Sequence, residues 1–223
     1  MATICTDAVS RRSDFSWPVQ MLIGLAVTAA LVTVFYFFVD QPVISFIRGY
    51  ELDRFPLLKW LTRPPEAFVR LSPFVLLACL IRRWFGPWTW AEKAALAAAV
   101  STLLTALAAL LLKMTFGRSA DGFHPFHVGA TYWAFPSGHT ACTLSVTVVA
   151  QAAFPRWRLC WWSLAGIVSA MLIALSHHFV GDIFGGAFVG WAIAGTVARS
   201  FGIATPSITH PVDCLRHPLR FSA

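Results

Sequence analysis

Long apolar blocks separated by short polar stretches dominate this chain, and most charged residues fall between the blocks. The first block, 19–39, follows Arg11 and Arg12. It is long for the apolar region of a signal peptide, and no small-x-small cleavage site precedes Asp40, so it reads as a retained transmembrane helix. Further blocks at 67–80, 91–112, 140–154, 159–176 and 183–201 predict five more spans. A spanning helix needs about 20 residues, so the shorter blocks must extend into their flanks. The block at 67–80 is the least regular, because Arg70 and Pro73 interrupt its start; without it the count is five. The expectation is an all-α, polytopic membrane helix bundle of six transmembrane helices, with one domain over 1–223. Cytoplasmic tails are expected at 1–16 and 203–223. The stretch 42–65 mixes apolar and basic residues with no clean helical face. It reads as an interfacial segment on the outer leaflet or as a plain connecting loop.

Composition sharpens the membrane reading. Of 223 residues, 57% are hydrophobic and 12% charged, against about 25% charged in ordinary soluble domains. The net charge of +7 is not gathered into a stripe of the kind that binds nucleic acid. Basic residues sit at the ends of apolar blocks, as in Arg82–Arg83 and Arg156/Arg158, where they anchor topology. The positive-inside rule places the N-terminus and both of these short loops inside, with Trp84, Trp88 and Trp157 as interfacial aromatics. The five cysteines are scattered without CxxC spacing, which argues against a disulfide framework or a zinc site.

The segment 113–139 differs from its surroundings, being rich in Gly, His and aromatics. In Pro136-Ser137-Gly138-His139, Pro and Gly mark a turn, and an apolar block follows at once. Ser137 is a candidate N-cap, and the helix start behind it offers backbone N–H groups to an anion. A capping turn with a solvated histidine would have the same string. His178 and Asp182 are four residues apart, so on a helix they share a face. The carboxylate can then accept the Nδ1 proton and leave Nε2 free to attack an electrophile. A neutral pair stabilising a helix end is the plainer alternative. Lys113 and Arg118 follow the outer end of the third span, where long cations often only snorkel. Arg's planar fork also suits phosphate oxygens. The topology brings all of these to one side, the non-cytoplasmic one, and together they supply what phosphoryl transfer needs.

These residues resemble the type 2 phosphatidic acid phosphatase family, related to vanadium haloperoxidases, whose Lys/Arg, Pro-Ser-Gly-His and His-xxx-Asp motifs occur in this order. The resemblance implies a phosphohistidine formed on His178, with Asp182 orienting it and His139 as general acid. It further implies that Lys113, Arg118, Ser137 and Gly138 hold the phosphate of a lipid, without cofactor or metal. Two positions depart from the pattern: Ala120 stands where the first motif has its second cation, and Leu172 where an Arg precedes the third. Arg118, His177, His124 and His127 are the candidates to compensate. His124-Pro-Phe-His127 resembles a loop of a bacterial branch of the family, so a bacterial inner (plasma) membrane is expected, and the basic inside loops turn the site to the periplasm or exterior. Two other readings are a non-catalytic phosphate-lipid binder or transporter, and an intramembrane serine protease using Ser137.

Overall fold

The structure, a computed structural model, describes residues 3–127 and 129–203. The chain runs through α1 (Thr3–Phe38), α2 (Asp40–Arg48), α3 (Pro56–Trp60), α4 (Pro64–Arg83), α5 (Trp90–Phe116), α6 (Gly138–Ala153), α7 (Arg158–Ala174) and α8 (Val180–Ser200). Among the described residues there are no strands, only two isolated bridges made by Arg118. Among the described residues, five stretches are long and apolar enough to cross a membrane: Ser16–Phe38, Pro56–Arg83, Trp90–Phe116, Pro155–Ala174 and Val180–Ser200. The sixth expected span is α6, with 16 residues. At 1.5 Å per residue it is about 24 Å long, short of a hydrocarbon core of about 30 Å. It lies at the centre of the bundle, packed by α4, α5, α7 and α8.

Local chemistry explains several boundaries. Pro64 opens α4, where its missing N–H costs nothing, and the helix continues through Pro73. A capping box starts α5: Thr89 Oγ1 accepts from the Glu92 N–H, and Glu92 accepts from the Thr89 N–H at 2.7 Å. Gly117 ends α5 in the left-handed conformation at φ 53°. The segment expected as a tail before Trp17 is helical from Thr3. Of the expected tail at 203–223 only Ile203 is described, and the rest lies outside the described residues.

Small residues let the inner helices approach closely, as membrane helices require where lipid offers no hydrophobic drive to associate. A Cβ on Gly190 of α8 would stand 2.2 Å from the Ala141 carbonyl oxygen of α6, and one on Gly186 would stand 2.4 Å from that of Ser137. Buried hydroxyls line the α5–α6 seam. Thr102 and Ser145 meet across it at 3.3 Å, where one hydroxyl donates to the other and the accepting one donates to a carbonyl of its own helix.

The 42–65 stretch corrects the expectation that it lacks a helical face. In α2 Ile44 is buried, and Ile47 and Arg48 turn toward cavities under the helix. The bundle therefore has two unlike ends. One gathers the C-terminal ends of α1, α5 and α7 with the N-terminal ends of α4, α6 and α8. At the other, Arg82 of α4 pairs with Glu92 of α5 at 3.2 Å.

Candidate active site

The end where helices α1, α5 and α7 finish encloses a cavity of about 690 Å³. Lys113, Gly138, His139, His177 and His178 line it. Ser137 caps α6, its Oγ accepting from the Thr140 N–H at 3.4 Å. Gly138 and His139 are thereby the first residues of the helix, and their N–H groups have no intrahelical acceptor. Lys113 approaches this same point: a Cβ on Gly138 would lie 3.7 Å from Lys113 Cε. Its Nζ donates to the Trp133 carbonyl.

His178 arrives by a different route from the one the spacing suggested. It does not share a helical face with Asp182, because α7 ends before it and α8 begins after it. Ser176 takes a left-handed conformation at φ 56°. The His177 and His178 N–H groups then both donate to the Leu172 carbonyl, at 3.0 and 3.3 Å. Asp182, in the first turn of α8, reaches back to accept from the Phe179 N–H at 2.9 Å. That capping geometry leaves Oδ2 at 3.5 Å from His178 Nδ1, which is buried and has no hydrogen-bond partner among the described residues. The rings of His139 and His178 face each other across the cavity with centroids 6.4 Å apart.

Several expected phosphate ligands are placed elsewhere. Arg118 does not line the cavity. It is 2% exposed, donating to Asp182 Oδ1 at 2.6 Å and to Asp40 Oδ2 at 2.5 Å. The Phe179 ring covers it at 4.5 Å. Ser137 is fully buried, with its hydroxyl engaged as the cap. His124 and His127 stack with Tyr132 away from the cavity. Of the four residues offered as compensation, only His177 lines it. Burial makes His177 harder to protonate than a free histidine, and neighbouring His178 and Lys59 add to this against Asp53. Among the described residues, no group of three or more His, Cys, Asp or Glu is placed to hold a metal.

Three charged residues of this site carried no sequence signal. Asp40, at the α1–α2 junction, is 1% exposed, bonding both Arg118 and the Gly181 N–H. Glu66 of α4 places Oε1 3.7 Å from His139 Nε2. Arg70, one turn on, donates to Glu66 at 3.0 Å and also lines the cavity. All three are brought to the site by helix packing. A loop acidic residue, Asp121, sits outside it, its carboxyl held below the usual range chiefly by the Ser119 hydroxyl.

The family model of the PAP2 superfamily matches residues 94–205, from the start of α5 to just past α8. The chain belongs to the PAP2 superfamily. A lipid A 1-phosphatase of Rhizobium etli is 30% identical over 101 residues, covering 41% of this chain and 44% of that protein. The match thus spans less than half the length of that relative. The crystal structure of a transmembrane PAP2 type phosphatidylglycerolphosphate phosphatase from Bacillus subtilis superposes with a TM-score of 0.53 at 22% identity. That superposition covers 84% of this chain and 96% of the other, so this PAP2 chain shares its membrane fold.

Proposed function

We propose that this protein is a membrane lipid phosphatase that removes a phosphate from a lipid through a phosphohistidine intermediate. The observation that carries the reading is the facing of His139 and His178 across one cavity, 6.4 Å between ring centroids, beside Lys113 and an open helix N-terminus. An attacking nitrogen about 3 Å from phosphorus and a proton donor about 3 Å from the leaving oxygen fit a gap of this order. His178 Nε2 attacks phosphorus while Asp182 holds the ring from the Nδ1 side. The bond from phosphorus to the lipid oxygen breaks, and His139 gives that oxygen its proton. Water then attacks the phosphohistidine, His139 takes the proton, and inorganic phosphate leaves from His178. Lys113 and the Gly138 N–H face the developing negative charge. No step draws on a metal.

Two relatives named as phosphatases of lipid A and of phosphatidylglycerophosphate support a phosphorylated lipid as substrate. So does the apolar wall of the cavity, where Val69, Ala106, Ala109 and Leu110 of α4 and α5 offer a path for acyl or prenyl chains. The basic loops at the opposite end of the bundle support a site facing away from the cytoplasm, at a bacterial plasma membrane. The burial of Ser137 and the use of its hydroxyl as a cap weigh against a serine protease.

The test is phosphate release by purified protein in detergent from a panel: phosphatidate, phosphatidylglycerophosphate, polyprenyl pyrophosphate and lipid A. His178→Ala should leave no measurable turnover, and His139→Ala should lose about 10²–10⁴-fold, the usual contribution of a positioned acid. Rapid quench with a labelled substrate should trap an acid-labile, alkali-stable phosphoprotein that His178→Ala lacks. Release from no lipid, or full activity in His178→Ala, would overturn the reading.

A further inference from the structure

We infer that Arg48 and Arg70, which lie outside the segment shared with the PAP2 family model, are the arginines that grip the substrate phosphate. The inference rests on the phosphatase reading and adds the source of its positive charge. A phosphoryl group carries up to two negative charges and spreads more over its oxygens as it transfers, so its site needs several cations. Within the family-matched segment, 94–205, the cavity holds one fixed cation, Lys113. The other motif cation, Arg118, is withdrawn from it, with both terminal nitrogens bound by Asp40 and Asp182. Ala120 lines the wall without charge, and Leu172 is packed among Val168 and Ile183.

The missing charge is present on two other helices. Arg48, at the last turn of α2, lines the main cavity and also an adjoining one of about 330 Å³. Arg70 lines the main cavity from α4, as do Val69 of the same helix and Leu110 of α5. Among the described residues, the fixed charges on the wall are then Arg48, Arg70 and Lys113 against one carboxylate, Glu66. Arg70 is bonded to that carboxylate, but its side chain is 77% exposed. Such an exposed pair is weakly held, so the guanidinium is free to turn onto a phosphate dianion, which offers it a bidentate partner.

The experiment uses the full chain in detergent, with Arg48→Gln, Arg70→Gln and their combination. Arg63→Gln serves as control, because Arg63 stacks on Trp60 and does not line the cavity. Two quantities are read: kcat/KM on the panel lipid turned over fastest, and calorimetric affinity for inorganic phosphate in the His178→Ala background. Each cavity substitution should weaken both by about 10–100-fold, the loss of one hydrogen bond to a charged group. The control should stay within about 2-fold, below the effect of one such bond. Arg70→Lys should recover only part of the loss, since it restores charge without the fork. Phosphate affinity and kcat/KM unchanged in the double variant would overturn the inference. If no panel lipid is hydrolysed but phosphate affinity falls as stated, the two arginines stand as an anion site and only the phosphatase reading falls. Both side chains are exposed, so thermal midpoints should hold. Should Arg70→Gln unfold, the Arg70→Lys and Arg48→Gln affinities decide.

Discussion

Replacing Arg118 by alanine removes one cation and strands two carboxylates, Asp40 and Asp182, where solvent hardly reaches. Breaking a buried ion pair from one side costs about 3–5 kcal/mol. The expected outcome is a lowered thermal midpoint and lost turnover, because Asp182 no longer has a fixed position beside His178. Phosphate affinity in the folded fraction should change little. The opposite pattern, an unchanged midpoint with weakened phosphate binding, would return Arg118 to the role of phosphate ligand. His177 gives a second outcome at this scale. Its folded form resists protonation, so below the ordinary histidine value of about 6.5 the unfolded chain binds a proton that the folded chain refuses. Stability therefore falls as pH drops through that region and returns as pH rises. His177→Asn should flatten this acid wing of a midpoint-versus-pH curve; an unaltered wing would assign it to other groups.

At the scale of elements, the site depends on how closely α8 lies against α6. The Ser137 N–H donates to the Asp182 carbonyl at 3.0 Å, so the start of one helix is registered on the start of the other. Glycines at 186 and 190 permit that distance. Gly190→Val puts a side chain against the Ala141 carbonyl oxygen, a backbone atom that cannot rotate away. Overpacking typically costs about 1–3 kcal/mol, and here the helices must also separate. The variant should show a lower midpoint in detergent and lose activity more than stability, since separation pulls His139 from His178. Wild-type turnover in Gly190→Val would mean that the α6–α8 distance does not set the site.

For the whole molecule, the two ends of the bundle carry different chemistry, and orientation in the membrane follows from which end holds the short basic loops. In a cysteine-free background, Arg156→Cys should react with a membrane-impermeant maleimide only in inverted vesicles. Arg54→Cys, at the cavity end, should react only from outside. The reverse result would place the cavity toward the cytoplasm. The same asymmetry explains why α6 needs no full bilayer length: enclosed by four helices, its polar ends meet protein and the cavity rather than lipid.

The helical class, the membrane setting and the family were legible along the chain, because each depends on local quantities. A run of apolar residues is long enough to span or it is not. Pro-Ser-Gly-His followed by His-xxx-Asp is a string of fixed spacing. What the chain could not disclose is which charges meet. Arg118 finds Asp182 and Asp40 across 64 and 78 residues, and no periodicity links those positions. Asp40 was visible only as the end of an apolar block and Arg70 only as a blemish at the start of another, with Glu66 just outside it. Even His178 and Asp182, correctly seen as neighbours, meet through a helix cap rather than along a helical face. Charge pairing is decided by packing, since a buried guanidinium takes the carboxylates that the fold brings within reach. Tertiary structure thus took Arg118 out of the cavity and put Arg48 and Arg70 on its wall.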